Sequence, residues 1–123
     1  MKLWSGIITP KLQQSKSFYI QVLDAEVLFE SEWFVLLRVG ENQLGLMLPD
    51  LPSQAPMFRA SIKGPGMWLA IDVEDVDAHY QRIKQLGLEI ALKIKDETWG
   101  DRHFALLDPN GIGIDFVTHT GGA

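Results

Sequence analysis

The feature that most constrains this chain is a repeated order of elements. VLDAEVLFE in the first half aligns with QLGLEIALK in the second, each at a point where a helix gives way to a strand. Before the first copy lies LQQSKSFYIQVL, in which Leu12, Tyr19, Val22 and Leu23 recur at helical spacing with Ser15 and Phe18 beside them. Gln13, Gln14, Lys16 and Gln21 fall elsewhere, so the helix is amphipathic and should cover a sheet. The apolar stretch Leu3 to Ile8 precedes it and is broken at Pro10. AEVLFES, WFVLLRVG and NQLGLML follow as three strands in a meander.

The second half repeats this order. MWLAIDV reads as a strand, VDAHYQRIKQL as a helix, and LEIALKI, RHFALLD and GIGIDFV as three further strands. Val76, Tyr80, Ile83 and Leu86 form the apolar stripe of that helix, Asp75 and Asp77 suit the positive end of its dipole, and Gly87 supplies a stop. Between the halves, PDLPSQAPMFRASIKGPG holds four of the six prolines and no sustained period, so it is a connection. The fold class expected is α+β, with two βαβββ modules in one domain spanning 1–123. Module one covers about 1–48, the linker about 49–66 and module two about 67–119.

Composition narrows the function. A chain of 123 residues with 46% hydrophobic content can bury a core without staples. The absence of cysteine excludes disulfides, thiolate metal sites and a Cys nucleophile. A net charge of −5 without a basic run argues against nucleic acid as a partner. The opening MKLWSGIITPK is too short and too interrupted for a signal peptide or a membrane span, so the expectation is a soluble cytoplasmic protein. No serine sits at a strained elbow with a partner His, and GPG at Gly64 to Gly66 is read as a linker element rather than a phosphate loop. His79, His103 and His119 are each read as solvated or structural.

The stretch Trp99 to Phe116, WGDRHFALLDPNGIGIDF, combines a Trp-Gly-x-Arg entry, a strand, a DPNG hairpin turn and a second strand carrying Asp115. With LQQSKSFYIQVLDAEV and IDVEDVDAHYQRIKQLGLEI, it resembles the glyoxalase, bleomycin-resistance and extradiol dioxygenase (vicinal oxygen chelate) superfamily over nearly the whole chain. The motifs are most similar to those of bleomycin-resistance-like members. The resemblance implies curved mixed sheets around a cavity, commonly a homodimer, and in the enzymes a divalent metal held by His, Gln or Glu on the first and last strands of the modules.

Carried across one by one, those metal positions fall at Trp4, at Gly45 or Leu46, at Trp68 and at Asp115. Only Asp115 can ligate, and a lone carboxylate makes no catalytic metal site. No metal and no cofactor are therefore expected, and metal-dependent glyoxalase or dioxygenase activity is disfavoured.

If the family geometry holds, Trp4, Trp68 and Asp115 converge as a stacking, cation-attracting pocket, with Trp99 and Arg102 at its mouth. Arg102 is read first as a structural ion-pair partner and second as a ligand contact. Trp33, Phe34, Phe58 and Arg59 are read as packing.

The implied function is metal-independent binding of a planar or cationic drug-like molecule, similar to the drug-sequestering branch of the superfamily. The alternative is a lyase, isomerase or dioxygenase-type enzyme with Asp115 as a general base. A third reading has both indoles filling the core of a dimerisation scaffold.

Overall fold

Each half of the chain builds its own four-stranded sheet, and in each the first strand is inserted parallel to the last. The computed structural model describes residues 1–121; residues 122 and 123, the end of the expected domain, lie outside the described residues. Contacts divide the chain into two compact units, Met1–Lys63 and the residues from Gly64 onward.

In the first unit, β1 (Ser5–Ile8), α1 (Leu12–Leu23), β2 (Glu26–Glu30), β3 (Phe34–Val39) and β4 (Asn42–Met47) form a sheet of order β1-β4-β3-β2. α1 buries Leu12, Ser15, Tyr19 and Val22, the face that its spacing predicts. Its exit is the left-handed residue Asp24, at φ 54°. The connection after β4 folds back on this unit: Ile62 N–H donates to the Ile8 carbonyl at 2.8 Å, and Asp50 N–H donates to that of Arg59 at 2.9 Å.

The second unit repeats the plan with β5 (Trp68–Asp72), α2 (Val76–Gln85), β6 (Leu92–Asp96), β7 (Asp101–Leu107) and β8 (Gly113–His119), in the order β5-β8-β7-β6. Asp75 caps α2 by accepting from Ala78 N–H at 3.1 Å. Gly87, at φ 76°, follows its end and matches Asp24 in the aligned repeat. Several strand boundaries differ from the sequence expectation: β1 begins at Ser5 rather than Leu3, β8 runs from Gly113 to His119 rather than from Gly111 to Val117, and LEIALKI gives a strand only from Leu92. Beneath α2, Phe104 and Phe116 are cross-strand partners and stack at 5.0 Å. Tyr80 meets Phe104 edge-on at 5.0 Å and His79 stacks on Phe116 at 5.3 Å. Ile112, Ile114 and Phe116 are all buried, as strand alternation requires.

The β7–β8 turn is held by a buried carboxylate. Asp108 Oδ1 accepts from Asn110 N–H at 2.8 Å and Ile112 N–H at 2.9 Å, and its Oδ2 accepts from Asn110 Nδ2 at 3.2 Å. Gly64, which the sequence reading leaves in a linker, packs against this turn. A Cβ there would lie 2.8 Å from the Asn110 carbonyl oxygen, and its φ is +86°. Replacing Asp108 with Ala leaves two backbone donors without this acceptor, so Asp108→Ala should destabilise the protein by about 1–3 kcal/mol. A fall in the urea midpoint at constant slope would register this; a midpoint equal to the parent's would contradict it.

Candidate functional site

Parallel pairing of first and last strands decides what faces the open side of each sheet. In module two, Trp68 pairs with Gly113 and Ala70 with Asp115, while on the other side Asp115 pairs with Ala105. These residues share one face, opposite the buried Phe104, Ile114 and Phe116. They line a hollow of about 240 Å³ with Leu92 and His103.

His103, which the sequence reads only as solvated or structural, is the residue that ties the hollow together. Its Nδ1 lies 2.8 Å from Asp115 Oδ1 and its Nε2 lies 2.9 Å from Glu97 Oε2. Lys95 Nζ extends the chain at 3.2 Å from Glu97 Oε1. A neutral imidazole has one N–H, whereas the charged ring donates from both nitrogens, so two flanking carboxylates favour the charged form. Burial opposes that charge, but the bonds to Glu97 and Asp115 outweigh it and raise the ring's pKa above its ordinary value. The His103 bond in turn lowers the pKa of Glu97.

The turn from Glu97 to Asp101 makes this possible. Gly100 N–H donates to the Glu97 carbonyl at 3.1 Å, and Gly100 adopts φ 94°. The signal for His103 was available in the sequence: it alternates with Ala105 on the face opposite Phe104 and Leu106.

In module one, Gly6 pairs with Gly45, so Gly45 holds the register place that Asp115 holds in module two. Nothing acidic stands there. A Cβ on Gly45 would lie 3.0 Å from the Trp4 ring and 3.3 Å from that of Phe34, so the missing side chain is the space into which both rings lean. Trp4, Ile7, Ile8, Phe34, Met47 and Phe58 line a cleft of about 360 Å³ with one polar side chain, Gln54. Arg59 fixes this rim by donating from Nε to the Gln54 carbonyl at 2.7 Å and from Nη2 to that of Pro52 at 3.3 Å. Phe34 and Phe58 thus wall the cleft, a role that the sequence reading did not give them.

The five residues expected at the site are therefore distributed. Trp4 belongs to the module-one cleft, and Trp68 and Asp115 belong to the module-two hollow. Trp99 and Arg102 line neither. Trp99 Nε1 donates to Asp101 Oδ2 at 3.0 Å. Arg102 grips Asp77 with two bonds, at 2.8 and 3.1 Å, and Asp96 with one, at 3.0 Å. The bonded Asp77 carboxylate raises the guanidinium's pKa and has its own lowered in return. His119 bridges Asp101 and Asp72, which raise its pKa. His79, by contrast, is pushed down, chiefly by burial and then by Arg82.

These donors do not fit a divalent cation. Asp115 Oδ1 is held by His103, both His103 nitrogens are engaged, and Trp4, Gly45 and Trp68 offer no lone pair. Among the described residues no group of three or more His, Asp or Glu is arranged to hold a metal. What the module-two chain of groups can do is share a proton between a ring and two carboxylates.

The raised His103 pKa fixes the sign of a pH effect. Its contribution to stability is full below the unfolded ring's pKa of about 6.5 and is lost as pH rises through the higher folded value. The stability advantage of the parent over His103→Gln should accordingly shrink as pH rises above the unfolded ring's value of about 6.5. His119 and His79 are common to both proteins and cancel in that difference. An advantage constant with pH, in urea unfolding, would contradict the arrangement.

Against known proteins, the chain matches a family profile described as the Glyoxalase/Bleomycin resistance protein/Dioxygenase superfamily over residues 3–116. It is 31% identical over 64 residues to an uncharacterized protein of Mycobacterium bovis, covering 52% of this chain and 42% of the relative. It is 45% identical over 47 residues to a bleomycin resistance protein of Geobacillus stearothermophilus, covering 37% of this chain and 36% of the relative. The matched stretches thus span about two fifths of these relatives' own lengths. A solved glyoxalase/bleomycin resistance protein/dioxygenase from Nocardioides superposes with a TM-score of 0.83 at 18% identity, covering 100% of this chain and 86% of that one, which is a likeness of fold. With the paired βαβββ modules, the profile match over nearly the full length establishes that this chain belongs to the glyoxalase/bleomycin resistance/dioxygenase superfamily.

Proposed function

We propose that the protein is a cytoplasmic, metal-independent binder of small planar molecules that leaves its ligand chemically unchanged. The observation that carries this reading is that Trp4 walls an apolar cleft of about 360 Å³ rather than filling it. A stacking ring, hydrocarbon walls and one amide suit retention of a flat ligand. No nucleophile paired with a base lies among the cleft's lining residues. Trp68 and Asp115 supply a second, smaller surface in module two, and Trp99 and Arg102 brace the structure beside it. The likeness to bleomycin resistance proteins supports sequestration as the purpose of binding.

Among the described residues no helix is long and apolar enough to cross a membrane, so the reading requires no membrane. A homodimer is part of the proposal. Every residue of β2 is exposed, and Val27, Leu28, Phe29 and Trp33 present apolar surface of the kind a second copy would cover.

A panel of planar aromatic compounds, titrated while tryptophan emission is followed, tests the function. Saturable quenching is expected for at least one member, and Trp4→Phe should remove most of the signal. Gly45→Val should weaken that binding at least about tenfold, because its side chain enters the space shared by Trp4 and Phe34. Circular dichroism would establish that the variant is folded. Emission unchanged across the whole panel would overturn the reading. For the assembly, sedimentation equilibrium should return twice the chain mass of 13.8 kDa, and a monomer alone would count against the dimer.

A further inference from the structure

We propose that the ligand of the module-one cleft is an uncharged planar heteroaromatic molecule, and that the protein discriminates against cations of the same shape. This rests on the proposed function and specifies its ligand class. None of the residues that line the cleft carries an ionisable side chain, and Gln54 is its one polar side chain. A cation entering it would lose water without gaining a counter-charge, a cost that the attraction of an indole face does not match. A neutral ring system loses little on entry and gains contact with Trp4, Phe34, Met47 and Phe58. The Gln54 amide carries both a donor and an acceptor, so it can meet a ring nitrogen or a carbonyl without demanding charge.

The charge at the rim has the wrong sign for a cation. Arg59 Nε donates to the main-chain carbonyl of Gln54 at 2.7 Å, so a guanidinium lies on the segment of the rim that carries Gln54. In the hollow of module two, taken by itself, the acids are already engaged. Asp115, the carboxylate that lines its hollow, is engaged by His103 at 2.8 Å, and Glu97 beyond the ring is met by Lys95 at 3.2 Å. The carboxylates there are matched within the chain.

Three ligands of one frame separate charge from shape: acridine, 10-methylacridinium and N-methylacridone, the last being neutral with the same N-methyl group. Calorimetric titration at a pH where acridine is uncharged should give acridine and N-methylacridone dissociation constants at least about tenfold below that of 10-methylacridinium. Gln54→Glu, which places a carboxylate at the rim, should narrow or invert that ratio. Equal or tighter binding of 10-methylacridinium would overturn the inference while leaving planar-ligand binding intact. Binding of N-methylacridone as weak as that of the cation would also overturn it, because the methyl group and not the charge would then discriminate. Failure of these three and of the wider panel to bind would remove the proposed function, and the inference with it.

Discussion

Parallel insertion of the first strand of each module beside its last is the constraint on which the rest depends. Without it, the chain would form two meanders whose N-terminal tryptophans had no fixed neighbour. With it, Gly6 is set against Gly45 and Ala70 against Asp115, and two residues earlier stand Trp4, immediately before β1, and Trp68, the first residue of β5. The crossover from first to second strand requires a helix, and its amphipathic face buries the other side of the sheet. One face is thereby committed to the core through Tyr19 or through Phe104 and Phe116, and the other carries the module-one cleft or the module-two hollow.

The same register place carries opposite solutions in the two modules. In module one a glycine yields its volume to neighbouring rings, and the result is an apolar cleft. In module two a carboxylate stands there and is drawn into an ordered chain of alternating charge with His103, Glu97 and Lys95. Hydrogen bonds to charged groups contribute about 1.5–3 kcal/mol when partly buried, against the ~1 kcal/mol of an ordinary one. His103 and Asp115, with side chains 13% and 21% exposed, are sheltered enough for that pairing to matter. It changes what Asp115 is: an isolated acid beneath an indole attracts cations, whereas an acid bonded to imidazole does so weakly.

Much of this was legible in the sequence because it follows from local rules. The amphipathic stripes of both helices, the Asp75 cap, the Gly87 stop and the DPNG turn each depend on a few adjacent residues, and the aligned helix exits at Asp24 and Gly87 expose the duplication. The site was less legible because it is assembled from residues distant in sequence. Asp115 could be found from the family pattern, but its partner His103 sits twelve residues away on the neighbouring strand and is joined by Glu97 only through the turn at Gly100. Phe58 and Gln54 reach the cleft because Arg59 folds the connection, and nothing periodic in that proline-rich stretch announces it. Arg102, for which the sequence offers a structural pair and a ligand contact, bonds Asp77 and Asp96.

A tryptophan at the entry to the first strand does not by itself close the space beside it. An indole is large enough to close a small cavity when its neighbours are also bulky, but Trp4 faces a residue without a side chain. Gly45 lets the ring settle toward the sheet, at a Cβ distance of 3.0 Å, and so keeps the remaining volume open. A larger residue there would push on the Trp4 and Phe34 rings, whereas removing the indole would take away the largest flat wall of the cleft. The glycine and the tryptophan therefore act together: one supplies the depth of the cleft and the other its flat wall.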